Sequence, residues 1–323
     1  MQNKKGKDTM EQIKVYENIL DILMEYAKNG KEPDICYIET IIIMLYREKK
    51  LQEEIKKVEI GEVYGFSNHE DSSSAAYTPV EESIVIDIEA EKEKYDRHKN
   101  LKKAGISDQE LNVWRTAIIT EDLLHEVRHA EQMKRGKQAP QNLEDVIYRV
   151  SFYPYYQLLS QPNLLLKLYR KKGIILNKKI SSAIDNHNIL IRKYSSQSPF
   201  ERDAELTAKT DIQKILSPVS KQFPTMMQAY KDLYLETLMN GYDNKEENNG
   251  PTIRFLQDVP KEQVEETLSL TGKSLEELIE LEKGKTREER MRLGINIPTS
   301  EYGYTENKLE QAKFHTSNYQ KRR

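Results

Sequence analysis

The sequence predicts an α+β protein, mostly helical, with a small β-sheet or hairpin beside one long helix. Three observations predict it. Glycine and proline are scarce, 13 and 11 in 323 residues, which disfavours a sandwich or barrel built on many tight turns. Apolar residues recur at helical spacing over most of the chain. Strand-like runs occur only ahead of the long helix, at Val58–Phe66 and Ser83–Glu89.

The elements follow in order. Ile13, Tyr16, Ile19, Leu20, Leu23 and Ala27 share one helical face over residues 10–29, and Gly30 is a stop. Pro33 suits the first turn of a second helix running to about Lys57. In Ser83–Glu89, Ile84, Ile86 and Ile88 alternate with Val85, Asp87 and Glu89, as in a strand with one buried face. The segment SNHEDSSSAAYTP between the two strands reads as a polar loop. Ser107-Asp108-Gln109-Glu110 is a capping box opening a helix to about Arg135, where Lys134 and Arg135 suit the C-terminal dipole and Gly136 the end. Ser198-Pro199-Phe200-Glu201 opens another helix, to about Leu216. The domain reading is 1–57, N-terminal helices packing on the core; 58–239, the main domain, with 136–197 as a helical insertion; 240–251, a linker; 252–295, a C-terminal helical region; and 296–323, a polar tail.

Charge and cysteine content narrow the functional classes. The chain carries 50 basic and 53 acidic residues, well mixed, for a net charge of -3, so no basic field points to nucleic acid. The single cysteine, Cys36, excludes an intramolecular disulfide and a thiolate zinc site. The most apolar run, Ile35–Tyr46, contains Glu39 and is too short for a bilayer. The plain expectation is a soluble cytoplasmic protein, with no membrane or nucleic-acid partner.

The chemistry concentrates in His125-Glu126-Val127-Arg128-His129. Residues four apart on a helix lie on one face about a turn apart, so both imidazoles can reach one zinc ion. Glu126 is offset by about 100° and reaches beside the metal, where a general base for a metal-activated water belongs. The bland alternative is a solvated helix face, which Arg128 and Glu131 also suit.

A catalytic zinc takes three protein ligands. His69, His98, His187 and His315 lack a supporting pattern and read as surface or core histidines. Glu201 is the better candidate for the third ligand. Glu201, Glu205 and Ala208 share a face with Ala204 beside them, and small residues there let a second helix approach closely. Glu205 is then placed to accept a hydrogen bond from a ligand imidazole. Glu201 has a competing role as the helix cap partner of Ser198. Glu144 is the alternative ligand, and Glu121 a supporting or surface residue. Tyr153, Tyr155, Tyr156 and His187 could assist at the substrate carbonyl, and none is singled out.

LLHEVRHAEQ and PFERDAELTA together resemble the gluzincin metallopeptidases, which pair an HExxH helix with a later Glu-x-x-Ala-Asp helix. The likeness is to the small intracellular minigluzincins, including those of phage and mobile elements, and covers about residues 58–216. It implies a zincin-like fold, one Zn²⁺ per chain held by His125, His129 and Glu201, Glu126 as base, and hydrolysis of a protein or peptide. It also implies an edge strand lining the cleft, for which Ser83–Glu89 is the expected segment. Glu205 departs from the family's aspartate, and the long interval between His129 and Glu201 requires the inserted region. A non-catalytic zincin-fold binding or regulatory protein is the alternative. A helical interaction protein with an accidental HExxH is the third reading.

Overall fold

The structure is a computed structural model that describes residues 2–61, 63, 74–79, 81–90, 106–152, 199–231, 261–282 and 284–285. Residues 153–197 of the expected insertion, the 240–251 stretch and the 296–323 tail lie outside the described residues, as do Ser198, His69, His98 and His315.

Helix α1 (Gln2–Lys28) ends at Gly30, whose φ of 60° is the left-handed turn that glycine adopts without strain. Asp34 caps α2 (Ile35–Lys49), its side chain accepting from Tyr37 N at 2.9 Å, so Pro33 precedes the cap and does not sit in the first turn. The expectation that α2 runs to about Lys57 is wrong. Lys50 turns left-handed at φ 57°, and Leu51 N–H closes back onto Tyr46 O at 2.8 Å. A helix stop built on lysine carries no compositional signal.

Strands β1 (Lys57–Ile60), β2 (Ala75–Thr78) and β3 (Ser83–Ile86) form one sheet in the order β1-β3-β2. β1 runs parallel and β2 antiparallel to β3. Two expectations are corrected here. The segment read as a polar loop contains β2, and the strand at 83–86 is central, so it is not the edge strand. Ala75 and Tyr77 are buried while Ala76 and Thr78 are half-buried, a period-two pattern that two alanines of low strand propensity conceal.

Helix α3 (Asp108–Lys137) opens on the expected capping box, Ser107 with Glu110. It runs through the middle of the molecule, packed by α1, α2, β2 and α5 (Pro199–Leu216). It is therefore buried around much of its circumference, from Val113, Trp114 and Ala117 to Val127, His129 and Ala130. Gly136 does not end it. A Cβ there would sit 3.2 Å from the backbone oxygen of Tyr148, so this glycine marks a close approach of chains inside the last turn.

After α3, the chain forms α4 (Leu143–Ile147), capped by Asn142, and continues as a π-helical turn, Tyr148–Phe152. A helical stretch at 224–231 brings Tyr230 against Trp114, with ring centroids 4.6 Å apart. Helices α6 (Lys261–Ser269) and α7 (Leu275–Glu282) pack on the π turn and α4, and their Val264 and Leu278 join the main core. The molecule is thus mostly helical with a small three-stranded sheet, an α+β arrangement. No helix among the described residues is long and apolar enough to cross a membrane.

Candidate metal centre

His125 and His129 stand on successive turns of α3 because four residues exceed one helical turn by little. Helix α5 crosses them, and the small Ala204 and Ala208, both buried, permit the close packing. Glu201 on α5 then places Oε2 3.4 Å from His125 Nε2 and 3.4 Å from His129 Nε2. The two Nε2 atoms are 3.0 Å apart. Tetrahedral zinc with bonds of about 2.0–2.2 Å sets its donors about 3.3–3.5 Å apart, so this triangle fits such an ion with small adjustments. A Glu126 carboxylate oxygen also lies within 4.8 Å of the two imidazoles.

Glu126 is fixed by the sheet. Its Oε2 accepts the backbone N–H of Tyr77 in β2 at 2.6 Å. Burial pushes the Glu126 carboxyl above the ordinary glutamate range, against the pull of His125 and His129. Burial alone would lower the His125 imidazolium, but Glu201, Glu126 and Glu205 outweigh it and push its pKa up to about 10. Glu201 moves the other way: burial would raise it, but His129 and His125 hold it well below the usual carboxylate range.

Glu205 lies 3.7 Å from His125 Nδ1, a charge contact beyond hydrogen-bond reach. Its carboxylate is drawn to Lys209 at 2.8 Å, and Lys209 also binds Glu121 at 2.6 Å. Glu121 is thus half-buried in an ion pair with the buried Lys209. Glu144, the alternative ligand, is committed elsewhere: it binds Arg128 Nη2 at 2.7 Å and also Arg135. The solvated-face reading of the motif is corrected as well, since Arg128, His129 and Glu126 are all buried. Tyr153, Tyr155, Tyr156 and His187 lie outside the described residues.

The groups behind the candidate ligands were not legible in the sequence. Gln132, one turn past His129, places Oε1 2.8 Å from His129 Nδ1. Asp203, between the two glutamates of α5, accepts from Arg128 Nε at 2.7 Å and from Gln132 Nε2 at 2.9 Å. The one signal available was a polar uncharged side chain three residues after the second histidine of the motif. The Tyr77 N–H is a backbone group and leaves no signal at all. No protein-family model matches the chain, and searches of curated proteins and of solved structures find no match.

Proposed function

We propose that this chain is a zincin-like, zinc-dependent metallopeptidase hydrolysing peptide bonds, with His125, His129 and Glu201 as metal ligands and Glu126 as general base. One observation carries the proposal: the 3.0, 3.4 and 3.4 Å triangle of donor atoms with Glu126 beside it. Bound zinc would supply a Lewis acid that brings a water's pKa toward neutrality and polarises a carbonyl.

The residues of the chain do the rest. Among the described residues Glu126 is bonded through Oε2, to Tyr77 N–H, and Oε1 would take a proton from the attacking water and return it to the leaving amine. Its raised pKa suits a group that must both accept and release that proton. β2 stands at one end of the described strand order and carries the Tyr77 N–H that holds Glu126 Oε2.

A second reading, a non-catalytic zincin-fold binding or regulatory protein, is favoured by the same Tyr77–Glu126 bond, which ties the base to the backbone. One experiment separates the two. Full-length protein purified without chelator is assayed for metal by elemental analysis and for cleavage of a peptide library by mass spectrometry. The peptidase reading predicts about one zinc per chain and cleavage that Glu126→Gln lowers by a factor of 100 or more, on the order of a general-base contribution. Zinc with no cleavage supports the second reading. No bound metal, or equal cleavage by Glu126→Gln, sinks the mechanism.

A further inference from the structure

Gln132 is fully buried between α3 and α5 and has three polar contacts. Its Nε2 lies 2.9 Å from the carbonyl oxygen of Phe200 and 2.9 Å from Asp203 Oδ2. The Phe200 carbonyl can only accept. Asp203 Oδ2 is also an acceptor, because Arg128 Nε, 2.7 Å away, can only donate. Two acceptors therefore demand the NH₂ end of the amide, and the reversed amide would set its oxygen against both. With that orientation fixed, Oε1 is the atom that faces His129 Nδ1 at 2.8 Å.

We infer that Gln132 is a positioning residue that holds neutral His129 in its Nδ1–H tautomer, so that the bare Nε2 faces Glu201 and His125. An acceptor against Nδ1 requires a proton there, and a neutral imidazole has only one. At the other nitrogen, a bare His129 Nε2 can accept from His125 Nε2 at 3.0 Å, but the Glu201 Oε2 acceptor lies 3.4 Å from both Nε2 atoms, so the Gln132 contact at Nδ1, and not this side, assigns the proton. The inference rests on the metal-site reading for its purpose and on amide geometry for its content.

The device is anchored in depth. Asp203 takes Gln132, Arg128 Nε and the nearby Tyr148 hydroxyl, at 2.6 Å, on one oxygen. Arg128 also reaches Glu131 at 3.1 Å and Glu144 at 2.7 Å, tying α3 to α4. Asp203 is two residues from Glu201 on α5, so the register that supplies the third ligand also orients the second. An amide suits this role better than a carboxylate: it brings two donors to the α5 acceptors and adds no charge beside Asp203.

The test is the tautomer itself, read by long-range ¹H–¹⁵N correlation on full-length, metal-free protein labelled at histidine nitrogen, at alkaline pH. The resonances are assigned by substituting His129. The expected wild-type result is Nδ1–H at His129, and Nε2–H there overturns the inference whether or not the protein binds zinc. In Gln132→Met, which keeps the length and removes the amide, Nε2–H becomes populated and zinc affinity, by chelator competition, falls about 10–100-fold. In Gln132→Glu, which restores the acceptor, the Nδ1–H form returns. A folded Gln132→Met with wild-type tautomer and affinity overturns the inference. If that variant does not fold, the wild-type spectrum alone decides. Failure to bind any zinc, with Nδ1–H still observed, removes the metal-site reading and leaves the tautomer assignment standing.

Discussion

Arg128 shows what one residue does at this site. It occupies a spacer position of the HExxH motif, yet it is buried and bonded to Asp203, Glu131 and Glu144. Removing one partner of a buried charge network leaves the others desolvated and uncompensated, which costs about 3–5 kcal/mol. Arg128→Ala is expected to lose that much stability in urea unfolding of the metal-free protein. A loss below about 1 kcal/mol would mean that the three carboxylates find water or other partners. His125 supports a second prediction. With its pKa at about 10 in the metal-free site, it is charged at neutral pH and must shed a proton to bind metal. Zinc uptake at pH 7 should therefore release about one proton per chain, seen with an indicator in weak buffer, and affinity should climb with pH up to about 10. The sign for folding is opposite. A pKa raised on folding stabilises below the unfolded histidine value and loses that contribution as pH rises through about 10.

Among the elements, α3 depends most on its first turn. Ser107 accepts from Glu110 N–H, and Glu110 Oε2 accepts from Ser107 N–H at 3.0 Å. Burial alone would raise Glu110, but the hydrogen bonds from Ser107 and the backbone of Met226 and Thr225 hold it below the ordinary value. A depressed carboxylate stabilises above its unfolded pKa and loses that contribution as pH falls through its folded one. Ser107→Ala should cost about 1 kcal/mol at pH 7. Glu110→Gln should be less stable than wild type at pH 7, and the gap in melting temperature should close as pH falls below the ordinary glutamate range. A gap that is constant with pH would show that the charge at Glu110 is irrelevant. The sheet works at the same scale: β2 matters less as a strand than as the carrier of one N–H that meets Glu126.

At the scale of the whole molecule, the C-terminal helices belong to the core. Val264 of α6 and Leu278 of α7 are buried with it, against α4 and the π turn. Truncation after Met239 would uncover that surface. The expected loss is about 1.5–3 kcal/mol for each such side chain, measured by thermal or urea unfolding. Unchanged stability on truncation would mean that these helices dock without contributing. The same helices bear on α4 and the π turn, which supply Glu144 and Tyr148 to the network behind Asp203, so truncation should also weaken zinc binding.

The sequence by itself determined the helical character, the capped helix that carries HEVRH, the strand at Ser83–Ile86 and the candidacy of Glu201. These are legible because helix periodicity, capping chemistry and ligand spacing are local properties of neighbouring residues. It misread what depends on partners distant in the chain. Ala75–Thr78 became a strand because β3 pairs with it and α3 covers it, although its composition speaks for a loop. Arg128 became a core residue because α4 and α5 bring it carboxylates. Glu205, expected to hold a ligand imidazole, is drawn instead to Lys209, while Gln132 takes up a histidine from within the same helix. Short-range spacing selects which residues can bind a metal. The packing of α5 on α3 decides which carboxylate meets the two histidines, and the packing of β2 on α3 decides which backbone N–H meets Glu126, because hydrogen-bond partners are fixed by distances that no linear pattern encodes.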